Sequence, residues 1–216
     1  MMIEFRKVRQ QFQTGRELIE PLVEVTFKVE PGEFVAIQGP SGTGKSTLLL
    51  IAGGLLQPTG GTVNVAGIEV TNSSPAELSR FRSEKIGFVF QMFHLVPYLN
   101  VRDNIRMGQL SKDPEAVETM MKRLGLSPRS ESFPTMLSAG EQQRTALARA
   151  MIHQPAVILA DEPTGNLDPE NARQVLELLD EYRKQGGTVL MVSHGTDILK
   201  YADRVLILKN GKIVTS

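Results

Sequence analysis

Residues 39–47 form a glycine-rich stretch that follows the pattern G-x-x-x-x-G-K-[S/T]. The apolar residues 34–38 before it predict a buried strand, and the apolar residues 48–52 after it predict a buried helix. Because a strand, a tight turn and a helix start aim backbone N–H groups and the positive end of the helix dipole at one point, this stretch is predicted to bind a polyphosphate. An ordinary turn is the weaker interpretation, since Lys45 can reach the terminal phosphates and the Ser46 hydroxyl can hold Mg²⁺.

Composition limits the class of protein. The 216 residues suffice for one substantial core, and 41% apolar with 22% charged residues is ordinary for a globular chain. A formal net charge of zero gives no electrostatic case for a nucleic-acid partner, and the lack of cysteine excludes disulfides and thiolate metal sites. No apolar run approaches the roughly 20 residues that span a bilayer, and the N-terminus lacks the apolar stretch of a signal peptide. We therefore expect a cytosolic protein that needs a membrane-embedded partner if it works on membranes.

The pattern of apolar residues changes twice along the chain. Strands are predicted over residues 3–12, 22–29, 34–38, 62–65, 68–70 and 86–90, with a short helix capped by Ser74. Helices follow over residues 100–109, 113–124 and 138–153, with no strong strand between residues 90 and 156. Strands return over residues 156–160, 188–192, 204–209 and 212–214, with helices over residues 169–185 and 196–201 and a hairpin turn at Asn210-Gly211.

This order predicts one α/β domain with a mostly parallel sheet, an N-terminal antiparallel β-subdomain and an inserted helical subdomain. Residues 1–216 would form this single domain. The α/β core with its β-subdomain would comprise about residues 1–91 and 154–216, and the helical subdomain about residues 92–153.

Two acids, Asp161 and Glu162, directly follow the apolar strand at residues 156–160. Ligands of open parallel sheets lie at the carboxyl ends of the strands, where the phosphate loop also begins. Asp161 is thus placed to hold Mg²⁺ through water, and Glu162 to orient and deprotonate an attacking water. The alternative is that both acids are ordinary exposed loop residues. The strongly apolar strand before them, in a chain with a phosphate loop, favours the catalytic interpretation.

Other polar residues leave two interpretations open. His194 follows a strand at the same edge and could bind the terminal phosphate or the water, although a lone histidine is usually a surface residue. Gln91 could hold Mg²⁺ by its amide oxygen or be an ordinary loop amide, and spacing does not decide. Ser138 and Glu141 fit a helix capping box, and the N-terminus of a helix is also an anion site.

Taken together, these motifs resemble the ATP-binding subunit of an ABC transporter over the whole chain. Residues 39–46 match the Walker A motif, residues 137–141 resemble the LSGGQ signature, and residues 157–161 match Walker B. Residues 165–168 resemble the D-loop, Gln91 the Q-loop glutamine and His194 the switch histidine. A weaker similarity narrows the resemblance to one branch of the family, that of the lipoprotein-releasing, macrolide-export and cell-division ATPases.

The resemblance implies Mg²⁺-dependent ATP hydrolysis by two copies that sandwich two ATP molecules, each held by the Walker A motif of one copy and the signature of the other. Glu162 and His194 are the implied catalytic residues, and Ser46, Gln91 and Asp161 the implied metal site. The implied nucleotide-binding residues are Phe12, which would stack on adenine, and Gly39, Pro40, Ser41, Gly42, Thr43, Gly44, Lys45, Ser46, Thr47, Ser138, Ala139, Gly140 and Glu141. Ala139 and Glu141 depart from the usual glycine and glutamine, and we expect hydrolysis to survive both.

The apolar stretch at residues 91–99 is expected to include partner-facing side chains, first Leu95 and Tyr98, that dock a membrane-embedded permease-type subunit; burial under the helices is the alternative. The subunit would lie on the cytoplasmic face of the cell membrane and power export or extrusion. The alternative is an ATP-driven switch that transmits force or a signal to a membrane protein without transport. A soluble ATPase of DNA repair or translation is disfavoured by the zero net charge.

Overall fold

A computed structural model describes residues 1–15, 17–111 and 113–214. Its strands are β1 (Ile3–Thr14), β2 (Glu17–Val29), β3 (Phe34–Gln38), β4 (Gly60–Val65), β5 (Ile68–Glu69), β6 (Ile86–Val89), β7 (Val157–Asp161), β8 (Thr188–Val192), β9 (Arg204–Lys209) and β10 (Lys212–Val214). Its α-helices are α1 (Lys45–Ala52), α2 (Pro75–Lys85), α3 (Val101–Arg106), α4 (Pro114–Arg123), α5 (Ala139–Met151) and α6 (Pro169–Lys184). Short 3₁₀ turns cover Ser127–Arg129, Pro134–Met136 and Asp197–Lys200.

The strands form two sheets, as the sequence predicts. An antiparallel sheet has the order β2-β1-β4-β5, and Phe5 and Phe27 stack across β1 and β2 with ring centroids 4.7 Å apart. A six-stranded sheet has the order β10-β9-β3-β8-β7-β6, and all its neighbouring strands are parallel except the β9–β10 hairpin. The turn of that hairpin has a positive φ at both Asn210 and Gly211, which is the conformation that an Asn-Gly hairpin turn requires.

The register of the parallel strands lines up their carboxyl ends. Ile37 of β3 lies opposite Val192 of β8, and Val192 lies opposite Asp161 of β7. The segments that leave these strands therefore begin side by side at one edge of the sheet. This edge carries the phosphate loop, the two acids and the histidine that the sequence singles out.

Each face of the parallel sheet covers its own core. Adjacent residues of β7 illustrate this, since Leu159 packs with the antiparallel sheet and α1 while Ile158 packs with the helices of the other face. Burial on both faces explains why the sequences of these strands are continuously apolar.

Between β6 and β7 the chain is helical, with α3, α4 and α5 capped by Asn100, Asp113 and Ser138. The predicted division near residues 91 and 154 stays a prediction. Among the residues described, no helix is long and apolar enough to cross a membrane.

Two predicted helices are shorter than expected. The helix predicted to reach residue 109 ends at Arg106, because Gly108 and Gln109 donate to carbonyls three residues back and so form tighter turns. An added Cβ on Gly108 would lie 2.1 Å from the Arg149 carbonyl oxygen, so close packing on α5 fixes this end. The helix predicted over residues 196–201 is the 3₁₀ turn Asp197–Lys200.

Gly87 tests how closely α5 packs on β6. A Cβ at this position would lie 2.4 Å from the Ala150 carbonyl oxygen, which is a backbone atom that cannot easily move. We expect Gly87→Ala to lower the free energy of unfolding by about 1–3 kcal/mol because of this overlap. Chemical denaturation with urea measures the change.

Gly60→Ala is the matched control. Its Cβ would be 3.9 Å from the Arg9 Cβ, an ordinary contact, so this substitution should be neutral or slightly stabilising. Equal stability of the two variants would contradict the close approach of α5 to β6.

Candidate functional site

The loop at residues 39–47 is shaped to leave its backbone donors free. Gly42 and Gly44 have φ of +77° and +95°, and a Cβ on Gly39 would lie 2.2 Å from the Leu208 carbonyl oxygen, so glycine is required at each position. Within the part of the chain that the structure describes, no backbone N–H of residues 41–47 donates to an acceptor. Several unpaired donors at the start of α1 form a cradle for an anion.

Lys45, the first residue of α1, is only 5% exposed and bends back into this loop. Its Nζ donates to the carbonyl oxygens of Gly39 at 2.9 Å and Pro40 at 2.8 Å. Burial lowers the pKa of Lys45, and the nearby charges of Glu162 and Asp161 oppose that shift. The lysine and the two acids therefore share one electrostatic environment.

Glu162 and His194 meet at the same edge. The backbone of Glu162 has φ of +46°, and its N–H donates to the Val192 carbonyl at 3.0 Å, which holds the turn after β7 against β8. This left-handed conformation is unfavourable for a glutamate. It directs the Glu162 carboxylate toward His194, and the carboxylate Oε1 lies 2.5 Å from the His194 Nε2. The acid and the histidine are thus in direct contact.

Asp161 has a buried oxygen, Oδ1, without a hydrogen-bond partner among the described residues. Buried polar groups normally have a partner, so this unpartnered oxygen fits the binding of a cation or its water shell. The described residues hold no cluster of three or more acidic or histidine ligands. One carboxylate plus the hydroxyl of Ser46 suits Mg²⁺, which takes few protein oxygens and completes its shell with phosphate and water.

Two neighbouring clefts share this edge. A cleft of about 390 Å³ contains much of the predicted nucleotide site, and it is lined by Phe12, Ile19, Pro21, Ser41, Gly42, Gly44, Lys45, Ser46, Thr47, Glu162 and His194. A second cleft of about 620 Å³ shares Glu162 and His194 with the first and extends past Gln91 to α6. The paired acid and histidine therefore lie between the two.

Two lining residues of the first cleft, Ile19 and Pro21, were not predicted from the sequence. Ile19 is the cross-strand partner of Phe12, so their half-exposed side chains share one face of the antiparallel sheet. A Cβ on Gly44 would lie 2.7 Å from the Pro21 carbonyl oxygen, so β2 packs directly on the phosphate loop. Extending the strand pattern back from Leu22 through residues 17–21 would have found both.

Gln91 lies beside the loop that follows Glu162. Its carbonyl accepts a bond of 3.3 Å from the Asn166 side chain, and its Nε2 would be 3.1 Å from a Cβ on Gly165. Gln91 lines the second cleft and not the first. Its role as a metal ligand stays a prediction.

The predicted signature residues lie elsewhere, at the start of α5. Ser138 accepts from the Glu141 N–H at 3.2 Å, and the Glu141 carboxylate accepts from the Ser138 N–H at 2.8 Å, which completes the predicted capping box. A Cβ on Gly140 would lie 2.0 Å from the Asn171 Oδ1, so this helix start packs on that of α6. Residues 138–141 line neither cleft, so one copy of the chain does not bring its phosphate loop and signature together.

The stretch at residues 91–99 is partly exposed. Tyr98 is 78% and Met92 68% exposed, whereas Leu95 packs against the core of the helical side. One half-buried and one fully buried polar side chain hold the stretch. Arg149 of α5 donates to the carbonyls of Phe93 and His94, and Asn104 of α3 bonds both the N–H and the carbonyl of Val96. Of the two side chains predicted to face a partner first, Tyr98 has the expected exposure and Leu95 is half-buried.

Comparison with known proteins agrees with this fold. The family model described as ABC transporter matches residues 22–165, and the chain therefore belongs to the ABC transporter family. It is 40% identical to an uncharacterized ABC transporter ATP-binding protein of Mycobacterium tuberculosis over 99% of this chain and 89% of that protein.

Two relatives have more specific names. The lipoprotein-releasing system ATP-binding protein LolD 1 of Rhodospirillum rubrum is 41% identical over 97% of this chain and 96% of its own length. The macrolide export ATP-binding/permease protein MacB of Chlorobaculum tepidum is 41% identical over 99% of this chain but only 34% of its own length. The chain thus corresponds to about a third of MacB.

A solved structure has the same fold. The ATP-binding cassette MJ0796, solved as a dimer in a post-hydrolysis state with ADP and Pi, superposes with a TM-score of 0.92 at 35% identity, over 98% of this chain and 96% of that one. The α/β class with its antiparallel and mostly parallel sheets is therefore confirmed.

Lys45→Met tests the phosphate cradle. The substitution keeps the length of the side chain and removes the cation, so we expect ATP affinity to fall by about 100-fold, the value of two lost charge-assisted hydrogen bonds. Calorimetric titration with ATP measures the affinity. Lys28→Met is the control, because Lys28 is an exposed lysine of β2 paired with Glu4. Unchanged affinity in folded Lys45→Met protein would contradict the assignment.

Proposed function

We propose that this chain is the ATP-binding and ATP-hydrolysing subunit of a membrane export or extrusion complex. The observation that carries the proposal is the meeting of three features in one cleft: a cradle of unpaired N–H groups, a buried lysine, and a glutamate paired with a histidine. Family membership supports ATP as the ligand.

Nucleotide binding would use both ends of the first cleft. The N–H groups of residues 41–47 would surround the phosphates, and Lys45 would exchange its two carbonyl partners for phosphate oxygens. The base would stack on Phe12, with Ile19 beside it on the same sheet face. The apolar character of this platform supports stacking as the main contact with the base.

Mg²⁺ would be held by Ser46 and, through water, by Asp161, with Gln91 as a further ligand once the two clefts close on the nucleotide. When bound, the ion neutralises charge on the β- and γ-phosphates. The unpaired buried oxygen of Asp161 supports this assignment.

Glu162 would act as the general base. Its carboxylate would take a proton from the attacking water while the water oxygen bonds to the γ-phosphorus and the bond to ADP breaks. His194 would hold the Glu162 carboxylate in line and contact the transferred phosphate. The distance of 2.5 Å between the two side chains supports this pairing.

A second copy of the chain would complete the site. The start of α5 lines neither cleft, so its free donors are available to a nucleotide held by another copy. The dimeric cassette related to this chain supports such an arrangement. Nucleotide would then bridge the two copies, and hydrolysis would remove the bridge.

Glu162→Gln tests hydrolysis and dimer formation together. The amide cannot accept the proton from water, so we expect turnover to fall by at least about 100-fold, since general-base catalysis contributes that much. ATP should then remain bound and hold two copies together, provided that Mg²⁺ is present. A phosphate-release assay and analytical ultracentrifugation with ATP, with and without EDTA, measure both. A strict monomer with bound MgATP would argue against the dimer.

The membrane partner would dock on the stretch at residues 91–99, with Tyr98 and Met92 as its exposed apolar contacts. The subunit would accordingly lie on the cytoplasmic face of the membrane. Relatives named for macrolide export and lipoprotein release favour export over a force-transmitting or signalling switch.

A pull-down from native membranes tests the partner. Glu162→Gln protein with ATP is the bait, and we expect it to retain a membrane-embedded subunit that the same bait carrying Tyr98→Asp loses, because a charge would interrupt the apolar contact. Leu199→Asp, at another exposed apolar side chain, is the control. Equal capture by all three baits would contradict docking at Tyr98. A partner without a transport pathway would favour the switch.

A further inference from the structure

The start of α5 contains a charge that its proposed ligand should not tolerate. The carboxylate of Glu141 lies within the first turn of α5, next to the N–H groups of Ala139 and Gly140, which have no acceptor among the described residues. These N–H groups are the donors that a phosphate would use. A carboxylate so close to them would repel the phosphate.

The Glu141 carboxylate is fixed from two sides. One oxygen, Oε2, accepts from the Ser138 N–H at 2.8 Å, and the other, Oε1, accepts from the Arg129 Nε at 2.8 Å. The hydrogen bond from Ser138, followed by that from Arg129, holds the pKa of Glu141 below its usual value. Glu141 is therefore ionised at neutral pH, and its charge is a permanent feature of this helix start.

Arg129 belongs to a different segment, the 3₁₀ turn Ser127–Arg129 that precedes α5. Its guanidinium is the only cation that bonds Glu141 among the residues described. The Arg129 side chain is 50% exposed, whereas the Glu141 side chain is 18% exposed. An ion pair this open contributes little to folding, so stability alone does not account for it.

We infer that Arg129 is a positioning residue that neutralises Glu141, so that the start of α5 can receive the phosphates of a nucleotide held by a second copy of the chain. A glutamine at position 141 would make the same capping bond without a charge and would need no such partner. The inference rests on the proposed function, because it requires phosphate to approach α5 from another subunit.

A double-mutant cycle tests this role. Arg129→Gln, Glu141→Gln and the double variant are compared by the KM and kcat for ATP, and by the ATP concentration that gives half-maximal dimer when Glu162→Gln is also present. With Glu141 in place, we expect Arg129→Gln to raise KM and this half-maximal concentration by about tenfold, with kcat little changed. In the Glu141→Gln background the same change should be less than about twofold, and Arg129→Lys should restore most of the loss.

Further measurements separate this role from others. ATP affinity of the dilute monomer should be the same in every variant, since the phosphate loop is untouched. Arg123→Gln removes a comparable ion pair, with Glu181 at 3.1 Å, and should leave KM unchanged. Thermal melting checks that each variant folds.

Equal losses in both backgrounds would overturn the inference, because Arg129 would then touch the phosphate itself or act only on the fold. No loss in either background would overturn it as well. A wild-type chain that neither hydrolyses ATP nor dimerises would instead overturn the proposed function, and this inference with it.

Discussion

The common register of β3, β8 and β7 is the constraint on which the rest of the site depends. Because Ile37, Val192 and Asp161 lie side by side, the phosphate loop, His194 and Glu162 all leave the sheet at one edge. A slip of one residue would turn every side chain of a strand to the opposite face. Burial on both faces holds the register, so packing far from the cleft fixes the distance between the acid and the histidine.

Unfavourable features gather at this edge. Glu162 has a left-handed backbone, Asp161 has an unpaired buried oxygen, and Lys45 is buried with only carbonyls as partners. Features of this kind cost on the order of 1–3 kcal/mol each and persist only where the surrounding structure determines them. The two cores on either side of the sheet supply that stability, and a polyphosphate with its cation would satisfy the unpaired groups together.

The sequence was most informative where function depends on short continuous stretches. The phosphate loop, the acids after β7 and the capping box at Ser138 each have a local sequence pattern. The spacing of apolar residues likewise predicts the strands of both sheets. The contact of Arg129 with Glu141 could not be predicted, because it depends on the path of a 3₁₀ turn. Ile19 beside Phe12 was missed only because the strand pattern was not extended back through residues 17–21. Whether Leu95 faces a partner stays a prediction, since the apolar pattern of a loop is the same whether a side chain faces a partner or, as Leu95 does in part, packs against a core.

Helix α5 connects the capped helix start at Ser138 with the stretch at residues 91–99. Its first turn holds the capped start at Ser138, and Arg149 near its other end donates to the carbonyls of Phe93 and His94, where His94 has φ of +48°. Thirteen residues of helix span about 20 Å. Because helices move as rigid bodies in packed interfaces, a shift of the α5 start on meeting a nucleotide would displace the stretch that carries Tyr98. Under the proposed function, α5 would therefore link the nucleotide of one copy to the membrane partner of the other.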